Sequence, residues 1–234
     1  MSEPNKVQHT SVAGSGTSIG IAFTSTTTAG NLLIAMVIGN TGTTDTCTCS
    51  DPVNGAYTAT PASPARNTTQ AYSSWIFYFK NAASLSTIQQ ITATFSLSQG
   101  FSGMWIIEVS GASITVPFDK ETSALSNVSS VPDPGSTALS FNSEIILESS
   151  IVAASDTVGN TFTDLTAISG NDGQYKVVSN GTWGVSAFAT ANANWLAQAA
   201  TFTDAIGGFS GFTPDEDYFS ASQIWPTGSI VSLW

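Results

Sequence analysis

The chain has 234 residues, of which 9% are charged, with 5 Lys+Arg against 16 Asp+Glu and a formal net charge of -11. A surface so poor in cations repels phosphate backbones, which excludes nucleic acid as a partner and gives anionic membrane nothing to hold. The length suffices for a full core in one domain, and serine and threonine together fill more than a quarter of the sequence.

Residues 1–9 read as an N-terminal segment. Met1-Ser2-Glu3-Pro4-Asn5-Lys6 carries no charged region followed by an apolar run, so no secretory leader is visible and synthesis in the cytoplasm is expected. The one histidine, His9, falls in this segment, which the sequence reading takes as mobile. Residues 10–204 read as a β domain. Positions 17–23 alternate apolar and polar residues, and Thr26-Thr27-Thr28-Ala29-Gly30 then supplies a turn. Leu32 to Ile38 is apolar on both faces, as in the middle strand of a packed sheet. It is also the longest apolar run, far too short to span a bilayer, so no membrane insertion is expected.

Positions 39–70 hold Gly, Thr, Asp and three prolines and read as long loops. Ser74-Trp75-Ile76-Phe77-Tyr78-Phe79 is dense in aromatic and β-branched residues and predicts a strand. Ile91-Thr92-Ala93-Thr94-Phe95-Ser96-Leu97-Ser98 is apolar at every odd position and hydroxyl-bearing at every even one. Successive side chains of a strand point to opposite faces, so this segment has one dry face and one coated with neutral hydroxyls. Met104 to Val109 predicts another strand, and Pro117, Pro132 and Pro134 bracket a loop-rich stretch. Further strands are expected around 145–153 and 195–203. Between them, Asn180-Gly181 suits a type I′ turn joining strands 174–179 and 182–188 in a hairpin. About nine or ten strands and no helical period predict an all-β fold, an antiparallel two-sheet sandwich of jelly-roll type.

Residues 205–234 break the pattern. They carry Gly207-Gly208 and the aromatics Phe209, Phe212, Tyr218, Phe219, Trp225 and Trp234, and read as an irregular arm. So many aromatics left in water would make a sizeable apolar patch, so the arm is expected to pack on its own sandwich or dock on a neighbour. Those six aromatics are the candidate interaction surface. Trp75, Trp105, Trp183 and Trp195 lie in strand patterns and are expected in the core.

No catalytic, cofactor or metal site emerges. Cys47-Thr48-Cys49 would place both thiols on one face of a strand with Cα atoms roughly 7 Å apart, too far for a good disulfide. With His9 the only histidine, a zinc site lacks ligands, so free thiols in a loop are expected. Glu108 shares a strand face with Met104 and Ile106. It is read as a carboxylate capping turn amides around Ser110-Gly111, against a glycan-processing role in which Asp119 would be its partner. Asp51, Asp133 and Asp215-Glu216-Asp217 lack the ligand spacing of a calcium loop. The sequons at Asn67, Asn127 and Asn180 are expected by chance in a chain this rich in Ser and Thr.

The order Gly30-Asn31-Leu32-Leu33-Ile34, Phe79-Lys80-Asn81-Ala82, Ile91-Thr92-Ala93-Thr94-Phe95, Ile107-Glu108-Val109-Ser110-Gly111, Pro117-Phe118-Asp119, Trp195 and Phe202 resembles a loosely defined, uncharacterised group of β-sandwich proteins of bacterial and phage genomes. The resemblance covers residues 7–204. It implies the fold and no catalytic residues, and Val109 stands where the group usually has an aromatic. With the composition and the arm, it leads to the expectation of a non-enzymatic structural protein. That would be a virion component, a capsid decoration or other coat protein, forming a homo-oligomer or contacting other virion proteins. A carbohydrate-binding or adhesion module on a cell surface or tail, with a glycan as partner, is the alternative.

Overall fold

The computed structural model describes residues 3–41, 44–141, 143–159, 161–179, 188–190 and 193–204. In chain order their strands are β1 (Asn5–Ala22), β2 (Leu32–Gly39), β3 (Cys47–Asp51), β4 (Gly55–Ala56), β5 (Thr58–Ala59), β6 (Ala65–Asn67), β7 (Tyr72–Phe79) and β8 (Gln90–Ser110). There follow β9 (Phe118–Ser129), β10 (Ser143–Val152), β11 (Asp156–Thr157), β12 (Thr163–Asp164), β13 (Gly173–Ser179), β14 (Ala189–Thr190) and β15 (Ala193–Thr203). No helix occurs among the described residues, so none is long and apolar enough to cross a membrane.

The first sheet runs β4-β3-β8-β2-β7-β5, with β1 also paired to β8 and β6 to β7; the second runs β12-β13-β10-β15-β9. All pairings are antiparallel. The two sheets face each other as a sandwich, the expected class. β2 is buried at all eight positions because it has a core on each side. Leu32, Ile34, Met36 and Ile38 meet Ile145, Leu147, Leu196 and Phe202 of the second sheet. Leu33, Ala35 and Val37 point the other way, to Trp75, Phe77, Phe95 and Met104 inside the rolled first sheet. That double burial is why its sequence is continuously apolar.

The segments expected as two strands at 91–98 and 104–109 are one strand, β8, running beside β1 along nearly its whole length. The pairing register shifts between Gly14 and Gly16 and again between Gly16 and Ser18. Gly16 has φ +95, a conformation that a side chain would strain. This bulge bends the ribbon, so the first sheet curls around its own core.

Three further expectations are corrected. Residues 39–70 contain β3 to β6, short edge pieces whose polar sequence hid them. The stretch after Pro117 contains β9, which hydrogen-bonds to β15 on one side and therefore needs little apolar pattern. Asn5–His9, set apart in the sequence reading, belong to β1, with His9 opposite Ile107. β13 lies where the first hairpin strand was expected and pairs with β10 and β12. The Asn180-Gly181 turn and residues 182–187 lie outside the described residues, as do the arm 205–234 and its candidates Phe209, Phe212, Tyr218, Phe219, Trp225 and Trp234.

Candidate functional site

Glu108, the sharpest candidate in the sequence, is fully buried at the end of β8, opposite Leu33 of β2 and Gln8 of β1. Its Oε1 accepts from the Thr28 N–H and from Asn31 Nδ2, and its Oε2 from Gln8 Nε2, each at 2.7 Å. It caps a turn as expected, but the turn is the one before β2 rather than that at Ser110-Gly111. Both oxygens are occupied by donors that satisfy a buried charge. Asp119 stands on the second sheet, where it accepts from the Ser140 N–H at 2.9 Å. The proposed Glu108–Asp119 pairing does not form.

The remaining sequence candidates serve local structure. His9 Nδ1 lies 3.1 Å from Lys6 Nζ, and burial, then that ammonium, lowers its pKa. Cys47 and Cys49 are free, on one face of a strand rather than in a loop. Burial pushes the Cys47 thiol up to about 12 and raises Cys49 as well. Asp51 accepts from the Val53 and Asn54 N–H groups, and Asp133 from that of Gly135. Asn67, a sequon residue, is buried and donates to the Trp195 carbonyl at 3.1 Å. Trp75, Trp105 and Trp195 are buried, as expected; Trp183 and Asp215–Asp217 lie outside the described residues.

Sequence reasoning missed the carboxyl groups on the outer face of the second sheet. Along β10, Ile145, Leu147 and Ile151 turn to the sheet interface, which sends Glu144, Glu148 and Ser150 to the opposite face. There Glu144 is raised above the usual carboxylate range by burial, with the charge of neighbouring Asp119 adding to it. Asp156 accepts from Ser150 Oγ, and burial, then the charge of Asp172, lifts it to about 7. Burial lifts Asp172 itself to about 6, with Asp164 contributing. Among the described residues no group of three or more His, Cys, Asp or Glu is placed to hold a metal ion.

A cleft of about 190 Å³ opens at the end of the sandwich, lined by Asn40, Tyr72, Phe101, Ile151, Val152, Ser169 and Asn171. Its wall is the turn between β12 and β13. Trp105 Nε1 donates to the Thr166 carbonyl at 2.8 Å and holds the start of that turn. A Cβ at Gly173 would sit 3.0 Å from the Trp105 ring, so only glycine lets the ring lie this close to β13. Asn171 closes the turn, its Oδ1 accepting from the Val152 N–H at 2.9 Å and its Nδ2 donating to the Ile168 carbonyl at 3.1 Å. On the opposite side the Phe101 N–H donates to Asn40 Oδ1 at 2.7 Å. The cleft residues left only turn signatures in the sequence: Asn40 just after β2, and Asn171-Asp172-Gly173 at the start of β13.

No family model, curated protein or solved structure matches the chain.

Proposed function

We propose that this chain is a non-enzymatic structural protein, a capsid decoration or other coat component of a virion, made in the host cytoplasm and associating through residues 205–234. One observation carries the reading. The end of β15 clasps the loop after β8: the Ser113 N–H donates to the Thr203 carbonyl at 3.0 Å, and the Thr203 N–H to the Pro117 carbonyl at 2.7 Å. Ala112 and Asp204 form a bridge beside them. That loop exposes Ile114 (53%) and Val116 (66%). Asp204, the residue before the aromatic segment, is therefore held beside an exposed apolar loop, and burying that segment's aromatics against the loop, within a copy or between copies, would remove both from water. A loop-to-arm contact between copies repeats from subunit to subunit and closes into a ring or a symmetric oligomer.

Light scattering coupled to size exclusion tests this on the full chain, a chain cut after Asp204, and the double variant Ile114→Ser, Val116→Ser. A discrete oligomer that falls to monomer in both altered proteins is expected. A full chain and a truncated chain that are both monomeric overturn the reading.

A further inference from the structure

We propose that the cleft at the sandwich end binds one neutral hexopyranose unit. This goes beyond the structural role above and does not depend on it. The volume, about 190 Å³, accommodates a single ring rather than an extended chain. Its lining mixes apolar and polar groups as a pyranose does: the aromatic Tyr72 and Phe101, the aliphatic Ile151 and Val152, and the polar Asn40, Ser169 and Asn171. None of the lining residues is ionisable near neutral pH, which fits an uncharged ligand. Tyr72 and Phe101 are both only partly buried, so their rings have surface left to cover.

The polar edge has capacity to spare. Asn40 uses its Oδ1 on the Phe101 N–H, and its Nδ2 has no partner among the described residues. A ring hydroxyl bridging Asn40 Nδ2 and the Ser169 hydroxyl would use donors and acceptors that the fold leaves open.

The walls are also fixed in advance. Ala71, Thr166 and Ser169 have φ of 57, 73 and 50, and Gly170 has φ 86. Three of these are non-glycine residues in a region that side chains disfavour, so the surrounding structure must hold them there. They flank the cleft on both sides, Ala71 before Tyr72 and the others in the turn. The Trp105 and Asn171 hydrogen bonds described above hold the turn in place. A site whose loop is already ordered pays less entropy when a ligand enters.

The test uses 15N-labelled full-length protein titrated separately with the methyl glycosides of glucose, galactose and mannose, and with the methyl glycoside of sialic acid as a charged probe. Saturable shifts of the Asn40 and Asn171 side-chain amides with at least one neutral probe are expected. Affinity should fall about tenfold or more in Tyr72→Ala and persist within about twofold in Tyr72→Phe. Phe101→Leu is a second loss-of-stacking variant, and a melting curve of each variant verifies its fold. No saturable shift with any neutral probe overturns the proposal. So does tighter binding of the sialoside, or undiminished binding by folded Tyr72→Ala.

Discussion

Asn31 and Glu108 are joined by a 2.7 Å hydrogen bond from Nδ2 to Oε1 across 77 residues of sequence. One residue belongs to the Gly30–Ile34 motif and the other to Ile107–Gly111, so the two most recognisable stretches of the chain are halves of one contact. Together Asn31 and Glu108 tie the turn before β2 to the end of β8.

This predicts the behaviour of Glu108 variants. Glu108→Gln replaces an acceptor-only oxygen by a donor facing other donors, so it should destabilise the fold by about 1–3 kcal/mol. Glu108→Ala leaves Thr28, Asn31 and Gln8 without their acceptor and should cost at least as much. Urea denaturation reads both. A Glu108→Gln protein as stable as the parent would show that the carboxylate is not a structural cap.

The acids on the second sheet predict how stability varies with pH. Burial pushes Asp156 up to about 7 and Asp172 up to about 6 in the fold, from an ordinary value of 3.8 for each, and raises Glu144 from 4.5. The folded state therefore binds more protons than the unfolded state across this interval, and stability falls as pH rises. The loss begins near pH 4, where the unfolded groups ionise, and is complete above about pH 7, where the folded ones have done so. The melting temperature should be higher at pH 5 than at pH 8 by several degrees, and Asp156→Asn should shrink the difference. A melting temperature that rises from pH 5 to pH 8 would contradict the assignment.

The two thiols face the core of the rolled sheet and sit well above their usual pKa. Thiolate is the reactive species, so dithionitrobenzoate at pH 8 should modify native protein very slowly. Two thiols should be counted per chain after denaturation, with or without prior reduction. A count below two without reductant would indicate a disulfide.

Gly173→Ala places a methyl 3.0 Å from the Trp105 ring. The ring must move, which strains the Trp105–Thr166 hydrogen bond holding the cleft wall. A loss of about 1–3 kcal/mol in guanidinium unfolding is expected, with a changed tryptophan emission in the folded baseline. An unchanged spectrum and midpoint would mean that the packing there is loose.

The strands that were legible are those in which burial and periodicity agree. Leu32–Ile38, with a core on each face, reads as continuous apolar sequence, and Ile91–Ser98, with one face wet, reads as alternation. β9 was hidden because an edge strand with one partner can be written in Ser, Thr and Ala. The continuity of β8 was hidden because the irregularity lies in β8 itself: Gly14–Ser18 of β1 face the longer stretch Thr94–Ser102 of β8, whose Gln99-Gly100 reads as a break. Glu108 could be singled out, but its donors could not: Gln8, Thr28 and Asn31 are brought to it by pairing over 77 to 100 residues. The cleft was invisible for the same reason, since Asn40, Tyr72, Phe101 and Asn171 belong to four separated segments.

The bent β1–β8 ribbon has a mechanical consequence. Ile91, Ala93 and Phe95 of β8 pack inside the rolled sheet, while Trp105, Ile107 and Val109 of the same strand pack between the sheets. Neither half can be peeled away without tugging the other through the shared backbone. Amide hydrogens on both sides of the bend should exchange through one global opening event, so the sandwich unravels as a single unit or stays whole.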